Sequence, residues 1–166
     1  MQLSSNRHLS ILETRRTHWP DEAACAASAA ALAAKPGVRQ AFVELHGPLG
    51  AGKTTFVRHL LHALGVAGRI KSPTYAVVES YEPAETAAPL TIHHFDFYRF
   101  DDPQEWEDAG FRELFAGPGL KLAEWPEKAA GHLPAADLRI HIEPMAGDAR
   151  AVTWRAATPL GRELLA

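Results

Sequence analysis

The run Gly47-Pro48-Leu49-Gly50-Ala51-Gly52-Lys53-Thr54 has the form G-x-x-x-x-G-K-T, and it constrains local backbone, fold and ligand together. Glycines let consecutive backbone N–H groups turn inward around an anion. A helix starting at Lys53 points its positive N-terminal end at the same place. Lys53 can then reach the β- and γ-phosphates of a nucleotide, and the Thr54 hydroxyl can ligate Mg²⁺. The pattern needs a strand before it and a helix after it. Gln40-Ala41-Phe42-Val43-Glu44-Leu45-His46 is a short apolar run rich in strand formers. Residues 54–64 carry apolar side chains at helical spacing and end at Gly65, a suitable C-cap.

A chain of 166 residues suits one domain spanning 1–166 with a real core. Its 46% hydrophobic and 22% charged content is that of a globular protein. A formal charge of −3 gives no basic field for autonomous nucleic-acid binding, and DNA is not an expected partner. None of the nine histidines has metal-site spacing; His93 and His94 are adjacent in a predicted strand and face opposite ways. The single cysteine, Cys25, lies in an alanine-rich stretch and reads as a buried thiol. No segment is apolar enough to cross a membrane, and residues 1–16 lack the apolar core of a signal peptide. The expectation is a cytoplasmic protein.

Along the chain, residues 7–14 read as a short edge strand, and Trp19-Pro20-Asp21-Glu22 as a helix start with Pro and acids in its first turn. The Ala-rich run 22–35 should be a packed helix, stopped by Pro36-Gly37. Residues 70–75 form an irregular polar turn. Strands are expected at 76–82 and 90–100, joined by a Pro/Ala-rich hairpin loop. Two short helical pieces follow within 103–115, broken at Gly110, then a strand from Gly119 running into Trp125-Pro126. Residues 138–143 alternate as a half-buried strand, with 151–156 as its partner across a Gly147 turn and a helix at 159–166. The order implies an α/β fold of the P-loop NTPase type, three layers with a mixed parallel and antiparallel sheet.

Hydrolysis needs more than a phosphate loop: Mg²⁺, an oriented water and charge stabilisation. Asp96 and Glu124 each follow an apolar stretch and fall at predicted strand ends, where ligands collect in open α/β sheets. Either acid could hold Mg²⁺ while the other positions water. Ser72-Pro73-Thr74-Tyr75 offers two hydroxyls on a Pro-stiffened turn suited to sensing a γ-phosphate, and Arg58 and Arg99 are candidates for balancing phosphate charge.

Four segments in order, the loop from Gly47 to Thr55, Lys71-Ser72-Pro73-Thr74-Tyr75, His94-Phe95-Asp96-Phe97-Tyr98-Arg99 and Glu124-Trp125-Pro126, resemble the TsaE (YjeE) family. The resemblance implies a slow, partner-stimulated ATPase needed for N6-threonylcarbamoyladenosine at position 37 of tRNA. It would act on the TsaB and TsaD proteins and meet tRNA only through that complex. It further implies that Gly47, Leu49, Gly50, Ala51, Gly52, Lys53, Thr54 and Thr55 hold the nucleotide phosphates. Thr54 and Glu124 would ligate Mg²⁺, and Asp96 would lie near the γ-phosphate. Ser72, Pro73, Thr74 and Tyr75 would form a switch-like loop, with Arg99 and Trp125 at the switch or partner face and Glu22 near the base. One departure is Pro48, where the family usually carries an acid. Nucleotide binding is expected to survive it, and the hydrolysis rate is the quantity at stake.

Competing readings are a small-molecule kinase, a regulatory GTPase and a non-catalytic nucleotide-dependent switch. No Arg-rich lid supports the kinase. No Asn-Lys-x-Asp stretch supports guanine selectivity, so adenine is favoured. The non-catalytic switch shares the same residues and is separated only by turnover.

Overall fold

In the computed structural model, which describes residues 10–73, 75–84 and 88–166, seven strands form one sheet in the order β1-β7-β6-β2-β5-β4-β3. The elements run β1 (Glu13–Trp19), α1 (Glu22–Ala33), β2 (Phe42–His46), α2 (Lys53–Ala63), β3 (Val78–Tyr81), β4 (Ile92–Asp96), α3 (Pro103–Asp108), α4 (Phe111–Ala116), β5 (Leu120–Glu124), β6 (Leu138–Pro144), β7 (Arg150–Ala156) and α5 (Pro159–Leu165). The four central strands β6, β2, β5 and β4 are parallel, and β3, β7 and β1 add antiparallel edges. Connections from β2 lead to β4 and β5 on one side and to β6 on the other. The carboxyl end of β2 is therefore the reversal point, where crevices form in open sheets.

Strand parity separates two cores. Val43, Leu45, Ile92, Leu120, Leu122, Leu138 and Ile140 face α1, α2 and α5 in a mainly aliphatic cluster. Phe42, Phe95 and Ala123 point the other way, into an aromatic cluster with Phe97, Phe100, Trp106 and Phe111 around α3 and α4. The helices thus form layers on both sides of a mixed sheet, the α/β architecture expected. β5 is buried at all five positions. Truncating a residue such as Leu122 would cost about 2–5 kcal/mol, so the strand is a rigid base for Glu124 at its end.

Helix starts follow local chemistry. Asp21 caps α1 by accepting from the Ala24 N–H at 2.9 Å, and Thr158 caps α5 by accepting from Gly161. Gly110, at φ 70°, separates α3 from α4. Cys25 is buried and its thiol is pushed up to about 11, by burial first and by Glu22 second.

Two expectations need correction. The first strand is Glu13–Trp19, not 7–14; residues 1–9 lie outside the described set. Its residues are mostly exposed at the sheet edge, so it carries no apolar alternation. The fourth strand ends at Asp96, not at 100, because Phe97 and Phe100 fill the aromatic core from a turn. A 3-10 turn at Pro36–Gln40 also separates α1 from β2. Among the described residues, no helix is long and apolar enough to cross a membrane.

Candidate functional site

The phosphate loop leaves β2 at His46 and enters α2 at Lys53. Gly47 has φ 151°, and a Cβ there would stand 2.5 Å from the Ile142 carbonyl oxygen. Gly52, at φ 106°, is the left-handed residue that launches the helix. The Pro48 carbonyl accepts the Ala51 N–H at 3.0 Å, closing the turn. That bond needs only a carbonyl, which explains how proline is tolerated at the unusual position.

Lys53 is almost wholly buried, and its ammonium donates to the Gly47 carbonyl and, at 3.2 Å, to the Pro48 carbonyl. Its Nζ lies 3.8 Å from the centre of the Trp125 ring. Burial holds Lys53 below the usual lysine range, while Glu124, Glu127 and Asp96 pull it back. Trp125 has φ 53°, a left-handed conformation rare for a residue with a side chain, and its ring also meets Tyr98 at 4.9 Å.

Asp96 and Glu124 are register partners on adjacent parallel strands. Glu124 is buried; its Oε1 accepts from the Thr54 hydroxyl at 2.7 Å, and its Oε2 lies 2.6 Å from Nε2 of fully buried His94. His94 Nδ1 has no partner among the described residues. A proton on Nδ1 would be a buried donor without an acceptor, costing about 1–3 kcal/mol, so the ring is assigned as an Nε2–H donor. Asp96 is half-buried. Its Oδ2 accepts from Ser72 at 2.6 Å and its Oδ1 from the Tyr98 N–H at 2.9 Å.

These residues enclose one cavity of about 300 Å³, lined by Leu49 to Thr55 with Ser72, Asp96, Tyr98, Glu124 and Trp125. A second, of about 290 Å³, shares Ala51, Gly52 and Thr55 and continues along Trp19, Asp21, Glu22, Cys25, Asp148 and Arg150. Glu22 therefore stands beside the loop but away from the phosphate cavity, with its Oε1 3.0 Å from His59 Nε2. Arg99 lies over the exposed Tyr75 ring at 5.4 Å and lines neither cavity. Arg58 lines neither as well: its Nε donates to the Ile70 carbonyl at 3.3 Å, which makes it a brace for the chain just before Lys71. Pro73 is buried, and Thr74 lies outside the described residues.

Three participants escaped the sequence reading. Arg150 donates from Nε to the Ala51 carbonyl at 2.8 Å, clamping the loop from the first residue of β7. Asp148 joins it in the second cavity. His94 stood in the His94–Arg99 segment and was weighed for metal spacing, but its bond to Glu124, 30 residues on, was not read from the chain.

The donor set fits Mg²⁺, a hard cation that takes oxygen ligands and completes its shell with phosphate and water. A hydroxyl and a carboxylate 2.7 Å apart at the loop mouth are such donors. Among the described residues no group of three His, Cys, Asp or Glu could hold a metal ion by itself.

A family model described as "Threonylcarbamoyl adenosine biosynthesis protein TsaE" matches residues 19–152. The chain belongs to the TsaE family. A TsaE from Haemophilus influenzae is 44% identical over 123 residues, covering 74% of this chain and 75% of that one. A TsaE from Bacillus subtilis is 37% identical over 141 residues, covering 85% and 84%. Both are named as tRNA threonylcarbamoyladenosine biosynthesis proteins. The crystal structure of B. subtilis YdiB superposes with a TM-score of 0.70 at 26% identity and covers 92% of each chain. For a TsaE-family chain, the matched span runs from Trp19, the last residue of β1, to Val152 in β7. It therefore includes both cavities and the Arg150 clamp.

Proposed function

We propose that this chain is a Mg²⁺-dependent ATPase that serves formation of N6-threonylcarbamoyladenosine at position 37 of tRNA by acting on a TsaB–TsaD complex. The observation that carries the reading is the Thr54–Glu124 pair at the mouth of the phosphate loop, with Asp96 one strand away. The relatives' names supply the pathway. The chain's −3 charge favours reaching tRNA through protein partners.

The chemistry follows from charge placement. Lys53 exchanges the Gly47 and Pro48 carbonyls for phosphate oxygens, and the added negative charge offsets the burial that disfavours its proton. Thr54 keeps its hydroxyl proton on Glu124 and turns the oxygen lone pairs to the cavity. Mg²⁺ bound there would neutralise charge on the β- and γ-oxygens. Asp96, held by Ser72 and the Tyr98 N–H, orients the attacking water. Trp125 covers Lys53 and keeps bulk water away. The second cavity, beyond Ala51 and Gly52, takes the nucleoside. Leu49, exposed in the loop, and the exposed Tyr75 offer apolar surface to the partner proteins.

The test is ATP hydrolysis by the chain alone and with TsaB–TsaD, alongside repeated cycles of tRNA modification. The expected result is stimulated hydrolysis, and multiple turnovers only when this chain is present. Hydrolysis indifferent to the partners overturns the reading, and phosphate appearing on a small acceptor replaces it with a kinase.

A further inference from the structure

We infer that His94 is a positioning residue for the Mg²⁺-ligating carboxylate, an inference that rests on the ATPase reading above. A glutamate carboxylate is torsionally soft, because its terminal sp³–sp² rotation is broad. Glu124 cannot use that freedom. Its Oε1 is held by Thr54 from α2 and its Oε2 by His94 from β4, at 2.7 and 2.6 Å. Two donors from two different elements, one on each oxygen, define the plane of the group.

His94 does this without entering the site. It is fully buried, it lines neither cavity, and its register partner is Leu122 in the aliphatic core. Its Nδ1 has no partner among the described residues, so the bond to Glu124 is the ring's one polar commitment. A histidine serving only the core would gain from a partner on each nitrogen, or would be replaced by an apolar residue of similar shape. Here one nitrogen is left bare and the other is aimed at the acid that shares a hydroxyl with the loop. With Oε2 occupied by His94, Oε1 and the Thr54 oxygen are the atoms of the pair left to meet a cation in the cavity that both residues line. Outer-shell bonds of this kind typically change metal affinity by about 10–100-fold when removed.

The experiment titrates a non-hydrolysable ATP analogue into the full chain, with excess Mg²⁺ and separately in EDTA. The readout is the ratio of the two affinities, which loss of packing alone would not move. In His94→Leu the gain from Mg²⁺ is expected to shrink by at least about tenfold, while affinity in EDTA stays within about threefold of wild type, since the loop amides and Lys53 are untouched. His94→Gln, whose amide N–H can reach Glu124, should restore most of the gain; His94→Asn, one methylene shorter, should not. A wild-type gain in His94→Leu overturns the inference. If the leucine variant does not fold, equal gains in the Gln and Asn variants overturn it instead. A wild-type chain that gains nothing from Mg²⁺ sinks the ATPase reading itself, which is a separate outcome.

Discussion

Asp96 and Glu124 sit side by side at the ends of β4 and β5, yet they live in different surroundings. Glu124 is 2% exposed, and both of its partners belong to regular elements, half-buried Thr54 to α2 and fully buried His94 to β4. Behind it, buried Pro126 opens a 3-10 turn whose Ala129 packs into the aromatic core. Asp96 is held by Ser72 and Tyr98, both in irregular segments. Its own N–H donates to the carbonyl of Val77, whose φ of 66° is a poor conformation for a β-branched residue. Two carboxylates one strand apart can thus have different mechanical characters: one fixed before ligand arrives, the other conditional on a turn. A fixed acid suits an ion, and a conditional one suits sensing a γ-phosphate.

The largest test breaks each member in turn. Glu124→Ala strips the acceptor from both Thr54 and His94 and should remove the Mg²⁺-dependent part of nucleotide affinity. Turnover should fall by about 10³-fold, the range for losing a main charge-stabilising group. Asp96→Ala should leave Mg²⁺-nucleotide affinity within about threefold while turnover falls about 10²-fold, as for a lost water-orienting base. Equilibrium binding and single-turnover hydrolysis separate the two profiles, and identical profiles would erase the distinction. A gentler probe is Ser72→Ala, which leaves Asp96 its bond to Tyr98. One hydrogen bond to a charged acceptor is worth about 1.5 kcal/mol, so turnover should drop about tenfold with nucleotide affinity unchanged.

The same contrast marks what could be read from the chain alone. The phosphate loop was legible because an anion cradle needs consecutive residues, and its flanking strand and helix stand where the pattern required. Both acids were legible because each closes an apolar strand. The difference between their settings was not. It depends on His94, 30 residues from Glu124, and on Ser72, 24 residues from Asp96. Arg150 is 99 residues from the carbonyl it clamps and reads in sequence as an ordinary strand terminus. The placement of β1 was missed for another reason. Glu-Thr-Arg-Arg-Thr-His is polar throughout, and only pairing with β7 makes it a strand. Phe97 and Phe100 extended the apparent β4 because an aromatic run looks the same whether it lies in a strand or folds into a core from a turn.

A third acid supplies the control. Glu44 is also buried beside an imidazole, with His46 Nε2 at 3.2 Å and the Arg139 guanidinium at 3.3 Å. Its strand parity, however, puts it on the sheet face away from α2 and the phosphates. The His141 ring stacks on His46 at 4.4 Å. Burial pushes His141 down to about 4, helped by His46, Arg155 and Arg139, with Glu44 pulling the other way. Since the folded value lies below the ordinary 6.5, the unfolded chain takes up this proton first as pH falls. Stability from this group is therefore complete above about pH 6.5 and is lost progressively toward pH 4. By pH 5 the loss should be on the order of 1 kcal/mol, after allowing for solvent screening, and His141→Gln should flatten that slope in thermal unfolding followed against pH. Turnover at pH 7 should stay within about twofold of wild type, because His141 lines neither of the two cavities beside the loop. The contrary outcome is that His141→Gln lowers turnover as Ser72→Ala does. Which face of the sheet the acid occupies would then not decide its role.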